Sequence, residues 1–212
     1  MKNILITILC FFFLVTQAQE KHLYISFGPS PVSYKGELSN KYSKWGVSGN
    51  ISLSTSKGNF LHNELELSKG YFSGQSSSEN PSFTNDFFKT SFVSVNYALH
   101  FNILRKKKIN ISLSPGIGIF RFTPFDSNGN KHTLPEEQGN TSIMLPLKIS
   151  SEYVFTNNYR IGISARWMSP QTDALDNVVK KGTKNDKIVQ FYFFIKIPLM
   201  KMKQNTTSKK TL

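Results

Sequence analysis

Six charged residues have the types and spacing to form ion pairs with one another. They occur as three pairs along the sequence, at positions 64 and 66, 148 and 152, and 160 and 166, and each pair is separated by an even number of positions. Even spacing places side chains on the same face of a β-strand, because successive side chains point to opposite faces. Three acids and three bases on shared faces predict a paired interior rather than a solvated surface. These residues are Glu64, Glu66, Lys148, Glu152, Arg160 and Arg166.

The histidines are the other candidates for chemistry. Acyl hydrolysis would need a histidine close to a serine and a carboxylate. His62 and His100 fall on the polar side of alternating segments, and His132 lies near Glu136 and Glu137 without a placed serine. The histidines also lack the regular spacing of metal ligands. The sequence therefore predicts no catalytic residue, no cofactor and no metal site.

The segments that hold these residues alternate apolar and polar positions over long runs. In FVSVNYALHFNILRKKKINISLSPGIGIF (92–120), almost every odd position from Val93 to Ile103 is apolar, and the pattern resumes at Ile109 after a basic turn. Both runs exceed the usual strand length of about 5–6 residues and suit the 9–11 needed to cross a membrane obliquely. Eight such segments occur, near 23–27, 45–54, 61–68, 93–103, 109–119, 143–155, 161–167 and 189–197.

The connections between these segments alternate in length. Three are tight, near Ser56–Asn59, Leu104–Lys108 and Thr156–Asn158. Short turns on one side and long loops on the other are typical of bacterial outer-membrane barrels. The sequence thus predicts an all-β fold, an eight-stranded antiparallel up-and-down transmembrane β-barrel with short periplasmic turns, long extracellular loops and both mature termini in the periplasm. The four long connections span Pro29–Lys44, Phe72–Phe88, Thr123–Asn140 and Ser169–Lys187.

A soluble barrel of the lipocalin kind is the structural alternative. Its apolar residues would fill the interior and its polar residues would face water. Alternation alone does not decide which face is inside. Strand length, the alternating connections and the charges on the polar face favour the membrane barrel.

Aromatic residues at the strand ends support the same orientation. Trp45 and Trp167 fall at the ends next to long loops, with Phe122 near that level, and Phe155 and Tyr159 flank a tight turn. Aromatic rings at both membrane interfaces are expected of a transmembrane barrel.

The turn between Phe155 and Tyr159 sets the pairing of the sixth and seventh strands. With three residues between those two outward rings, Lys148 faces Arg166 and Glu152 lies diagonal to Arg160. Like charges side by side need acids from elsewhere. We therefore expect two clusters: Glu64, Glu66, Lys148 and Arg166 in one, and Glu152 with Arg160 in the other.

The N-terminus reads as a secretory signal peptide. MKNILITILCFFFLVTQAQE has a lysine, an apolar run too short to span a bilayer as a helix, and small residues before a cleavage point after Ala18. The predicted organisation is a signal peptide at 1–18, an outer-membrane barrel at 19–200 and a disordered basic periplasmic tail at 201–212.

The net charge of the chain is strongly positive, formally +13. An exported chain rarely meets nucleic acid, so no nucleic-acid partner is expected. The lysines are concentrated in connections and in the tail, where anionic lipid headgroups and lipopolysaccharide are the expected partners. A protein partner would contact the connections at 72–88 and 169–187.

The segment from Leu145 to Leu199 contains Thr172-Asp173-Ala174-Leu175-Asp176-Asn177-Val178, then Asn185-Asp186, then the strand FYFFIKIPL. On these residues it is similar to small outer-membrane β-barrel proteins of the Bacteroidota, and the chain as a whole resembles the small OmpX/OmpA-like barrels. Some members attach to gliding and type IX secretion machinery. The resemblance implies a non-enzymatic structural or interaction barrel with a side-chain-filled lumen. A lipid A-modifying outer-membrane enzyme is the functional alternative.

Overall fold

The protein forms one closed barrel of eight antiparallel strands, each paired with its neighbours in chain order. The computed structural model describes residues 21–36, 41–57, 61–75, 87–125, 128–131, 139–172, 175 and 186–202. The predicted eight-stranded barrel is confirmed. The strands are β1 (Lys21–Lys35), β2 (Trp45–Lys57), β3 (Leu61–Gln75), β4 (Phe87–Arg105), β5 (Ile109–Phe125), β6 (Thr141–Val154), β7 (Arg160–Pro170) and β8 (Lys187–Met202).

Two predicted segments lie wholly or mostly outside the described residues. The predicted signal peptide at 1–18 is one of them. The predicted tail at 201–212 is the other, except that β8 continues to Met202 and so takes in its first two residues. Within the described ranges, no helix is long and apolar enough to cross a membrane.

Alternation along the strands separates an apolar outer wall from a polar interior. Ile119 and Ile163 on the outside are 59% and 58% exposed, whereas Glu66 and Ser68 on the inside are 2% and 1% exposed. A lipocalin-like barrel would have the opposite arrangement, so the structure rules out that alternative. A broad exposed belt of aliphatic and aromatic side chains instead suits contact with hydrocarbon.

The strands run further towards the long connections than predicted. β1 continues to Lys35, β3 to Gln75 and β5 to Phe125, and β4 already begins at Phe87. These ends contain Ser, Gly, Thr and Pro, which resemble loop sequence. They stay in the sheet because a closed barrel supplies a pairing partner on both sides of every strand.

Interruptions of the hydrogen-bond ladders accommodate the strand prolines. Pro198 pairs with Tyr24 next to a register shift that leaves Leu199 as an extra residue, a β-bulge. The pairs of β1 with β8 stop at Phe27 and resume at Val32, and Pro29 and Pro31 lie in that gap. Proline has no N–H to donate, so these are the positions where a ladder has to break.

Candidate functional site

The barrel lumen holds the six charged residues predicted from the sequence. Each is buried, with at most 9% of its surface exposed. The structure brings them together in two groups. We name these the central cluster, made of Glu64, Glu66, Lys148 and Arg166, and the turn-side cluster, made of Glu152, Arg160 and Lys196.

The central cluster joins β3 to β6 and β7 across the lumen. Arg166 donates from both terminal nitrogens to the Glu66 carboxylate, and Lys148 donates to Glu64. The Lys148 ammonium nitrogen also lies 3.8 Å from Glu66 Oε2. Lys148 and Arg166 are cross-strand neighbours, so each cation needs an acid from β3 to offset the other.

The turn-side cluster closes the lumen near the short turns. Arg160 Nη1 donates to Glu152 Oε2 at 2.9 Å, and Arg160 Nη2 donates to the Tyr24 hydroxyl at 3.0 Å. Lys196 donates to the other oxygen of Glu152. Lys196 is an additional member that the sequence analysis does not include in the network. Its register partner in β7 is Arg160, and the long connection between β7 and β8 does not define that pairing from the sequence.

A serine, a histidine and a glutamate also meet in the lumen. Ser114 Oγ lies 2.8 Å from His100 Nδ1. His100 Nε2 lies 3.3 Å from Glu64 Oε2 but lacks the alignment of a hydrogen bond. These types match an acyl-transfer site, but all three residues are at most 5% exposed. The adjoining cavities measure about 10 and 20 Å³, which is room for about one water molecule and not for an acyl substrate.

An apolar plug fills the lumen at the end next to the long connections. The rings of Tyr34 and Phe72 stack with centroids 5.4 Å apart, and those of Phe92 and Phe120 stack at 5.2 Å. Phe122, predicted at the outer interface, is instead 1% exposed inside the barrel. Its position in β5 has the parity of the inward residues, which is why it cannot face outwards. The plug consists of Val32, Tyr34, Phe72, Phe88, Phe92, Phe120, Phe122, Met144, Met168, Leu175 and Ile188.

Leu175 closes the plug from the connection between β7 and β8. It is fully buried, its backbone N–H donates to Asp186 Oδ2 at 3.1 Å, and its carbonyl accepts from the Thr90 hydroxyl at 2.6 Å. Asp186 also accepts a hydrogen bond from the Tyr34 hydroxyl. Leu175 and Asp186 belong to the motif that carried the family resemblance, and here they tie the connection to β1 and β4.

The four predicted interface aromatics lie on the outer wall at its two ends. Trp45 and Trp167 are 48% and 56% exposed, and Phe155 and Tyr159 are 42% and 43% exposed. Tyr42, from the connection between β1 and β2, hydrogen-bonds to Trp167; partial burial raises the pKa of Tyr42, and this bond acts against the rise. Among the described residues, no group of three or more His, Cys, Asp or Glu side chains is arranged to hold a metal ion.

The barrel resembles solved structures of small outer-membrane proteins. Neisserial surface protein A is 15% identical, with a TM-score of 0.59 over 82% of this chain and 96% of that protein. Ail, the attachment invasion locus protein of Yersinia pestis, solved with the heparin analogue sucrose octasulfate, is 13% identical, with a TM-score of 0.52 over 84% and 100%. At such identities the likeness shows the fold alone, that of small outer-membrane barrels. No family model and no curated protein matches the sequence.

Proposed function

We propose that this chain is an outer-membrane β-barrel with a closed lumen that acts as a structural or interaction protein. The observation that carries the proposal is the filling of the lumen at three levels. The turn-side cluster, the central cluster and the apolar plug each span the barrel with buried side chains. An eight-stranded barrel is just wide enough for its own side chains, and here the described side chains of the charged clusters leave lumen cavities of only about 10 and 20 Å³.

The outer wall supports insertion in a membrane. Its exposed residues form an apolar belt, with Trp45 and Trp167 at one end and Phe155 and Tyr159 at the other. Closed barrels satisfy every backbone hydrogen bond within the sheet, which hydrocarbon requires of a spanning segment. The bacterial outer membrane is where such barrels reside.

The proposed orientation puts the short turns and both termini in the periplasm and the long connections outside. The sequence predicts contacts with a protein partner in the connections 72–88 and 169–187. The strands extend into both ranges, so the connections themselves comprise residues 76–86 and 171–186. Leu175 and Asp186, in the segment that resembles small barrels of the Bacteroidota, make the contacts that close the apolar plug. An accessory role in a secretion or envelope complex is the part of the proposal that rests on this resemblance.

A non-enzymatic role is part of the proposal. Ser114, His100 and Glu64 are enclosed in the lumen, and Lys148 occupies the Glu64 carboxylate. A lipid A-modifying enzyme would need such a trio on the outer wall, where acyl chains have access. Incubation of the folded protein with lipid A, with and without a phospholipid as acyl donor, is followed by mass spectrometry. The enzymatic alternative predicts loss of an acyl chain by hydrolysis or, with the donor, gain of one by transfer.

The closed lumen predicts that the protein does not conduct ions across a lipid bilayer. The mature chain, refolded into planar lipid bilayers, should insert and show no steady single-channel current. Insertion is checked separately by migration, because a folded barrel runs faster unheated than boiled on a denaturing gel. Steady channels from the wild-type protein would contradict the closed lumen, and a soluble, heat-insensitive product would contradict the membrane assignment.

The orientation predicts where proteases cut. Protease added to intact cells should cleave within 76–86 or 171–186 and leave an epitope on the C-terminal tail intact. Permeabilised cells are the control, in which the tail epitope should become sensitive. Removal of the tail epitope in intact cells would mean that the termini lie outside.

A further inference from the structure

The described acids and the described surface cations are separated in space. Every acidic residue that the structure describes is buried inside the barrel, namely Glu64, Glu66, Glu152 and Asp186. Three cations of β3, β4 and β5 face outwards: Lys69, Lys89 and Arg121. No carboxylate of the described ranges lies within 4.0 Å of these three. Among the described residues, the outer wall at this place therefore carries positive charge with no carboxylate paired to it.

Strand register arranges the three cations in a triangle. Val93 pairs with Lys69 on one side and with Arg121 on the other. The Cα atoms of Lys69 and Arg121 are therefore separated by two strand spacings, about 10 Å. Lys89 lies four residues along β4 from Val93, about 13 Å further towards the long connections. Its ammonium group lies 4.2 Å from the centroid of the Tyr71 ring.

Hydroxyl groups occupy the space between the cations. Ser91 pairs with Tyr71 and with Thr123, so these three outward residues form the row between the Lys69–Arg121 row and Lys89. Ammonium, guanidinium and hydroxyl donors within one such area match the oxygen atoms of phosphate groups on a sugar-sized headgroup. We name this surface, formed by Lys69, Tyr71, Lys89, Ser91, Arg121 and Thr123, the cationic face.

The cationic face begins where the apolar belt ends. The next outward row towards the short turns is Leu67, Val95 and Ile119, of which each is between 46% and 59% exposed. A molecule that contacts both rows must be charged at one end and apolar at the other. That is the chemistry of a lipid with a phosphorylated headgroup.

An open groove of about 890 Å³ adjoins the cationic face. Lys69, Tyr71 and Lys89 line it, together with Val47 and Gly49 of β2. Gly49 pairs with Lys69, and a Cβ atom built at Gly49 would meet nothing within 4 Å. The missing side chain leaves a recess on the outer wall beside Lys69.

We propose that the cationic face binds the phosphates of lipid A, and that one of its acyl chains lies in the groove beside Gly49. The choice of lipid rests on the proposed function, because in that orientation the long connections and this face belong to the outer leaflet. Lys69 and Arg121 contact one phosphate region of the headgroup, and Lys89 contacts another. The apolar row of Leu67, Val95 and Ile119 packs against the chains.

The test compares headgroups on the folded mature chain. Protein in dodecyl maltoside is mixed with lipid A that carries two phosphates, with fully dephosphorylated lipid A, or with inorganic pyrophosphate, and bound species are counted by native mass spectrometry. We expect the bisphosphorylated lipid to bind at least about tenfold more tightly than the dephosphorylated one. A tenfold change in Kd is about what one hydrogen bond to a charged group contributes. Equal binding of the two lipids would overturn the proposal, and equally tight binding of pyrophosphate would overturn the choice of a lipid.

Two variants separate the charges from the groove. The Lys69→Gln/Arg121→Gln variant should lose the preference for phosphate, and Gly49→Leu should weaken both lipids alike by filling the recess. The matched control is Lys106→Gln/Lys107→Gln, which removes the same charge from the exposed turn between β4 and β5. An equal loss in that control would show a general charge effect and refute the site.

Failure of this proposal is distinguishable from failure of the proposed function. A wild-type protein that inserts into bilayers without conductance but binds both lipids equally refutes the lipid site alone. A wild-type protein that does not insert refutes the membrane barrel itself. Faster migration of each unheated variant shows that it has folded, so a lost preference is read as a binding effect.

Discussion

Replacement of Arg166 by glutamine is expected to lower the free energy of unfolding by about 3–5 kcal/mol, the usual cost of leaving one member of a buried ion pair without its partner. Arg166 is 3% exposed and donates to both oxygens of Glu66, which is 2% exposed. Its Nη1 also donates to Gln190 Oε1 at 3.1 Å. The variant leaves the Glu66 carboxylate in the lumen with a hydrogen bond from the Ser68 hydroxyl at 2.9 Å and, among the described cations, with only the more distant Lys148.

A double-mutant cycle isolates the pair. Glu66→Gln, Arg166→Gln and the double variant are compared by the urea concentration at which heat-dependent migration is lost. The double variant should be more stable than the sum of the two losses implies, with a coupling energy of about 1–3 kcal/mol. Arg121→Gln, on the outer wall, is the matched control and should change stability little. Additive losses would show that Glu66 and Arg166 do not interact.

Replacement of Phe72 by alanine is expected to be equally severe, at about 3–5 kcal/mol, because it opens a cavity in a packed apolar core. Phe72 is fully buried, stacks on Tyr34 at 5.4 Å and contacts Phe88 edge-on at 6.4 Å. A third ring, that of Phe92, lies 5.9 Å away, so the substitution removes the transfer free energy of a ring and its contacts with three others.

The matched control for Phe72 is Phe193→Ala in β8. Phe193 faces outwards and is 51% exposed, so lipid or detergent fills the vacated space and no cavity remains. Both variants are unfolded in urea after refolding into the same lipid. A smaller loss for Phe72→Ala than for Phe193→Ala would contradict the packed plug.

Much of the ionic network follows from alternation and one turn length. Charged residues at even spacing share a face, and three residues between Phe155 and Tyr159 set Lys148 opposite Arg166, the register that the structure has. The reach from β3 to β7 could be inferred because two adjacent cations require acids from elsewhere. The position of Lys196 in the network does not follow from the sequence, because the long connection between β7 and β8 does not define their register.

The apolar plug was missed for a different reason. Phe72, Phe92 and Phe120 share the parity of the inward serines and asparagines that lie nearer the short turns in the same strands. The inward face of these strands is therefore polar near the short turns and apolar near the long connections. Hydrophobicity was interpreted as a sign of lipid contact, and Phe122 was accordingly placed outside. Parity counted from an inward polar residue of the same strand, Glu66 in β3, Asn96 in β4 or Ser114 in β5, places all four rings in the lumen.

The interruption at Pro29 and Pro31 has a consequence for assembly of the sheet. β1 and β8 are the one pair of neighbours that are not consecutive in the chain, so their pairing closes the cylinder and carries the largest loop-closure cost. Until closure, the free side of β1 is an edge that another copy could extend. Two prolines and an unpaired stretch between Phe27 and Val32 make that edge a poor template for such pairing. The prolines that break a ladder in the finished barrel thereby protect the unfinished sheet from aggregation.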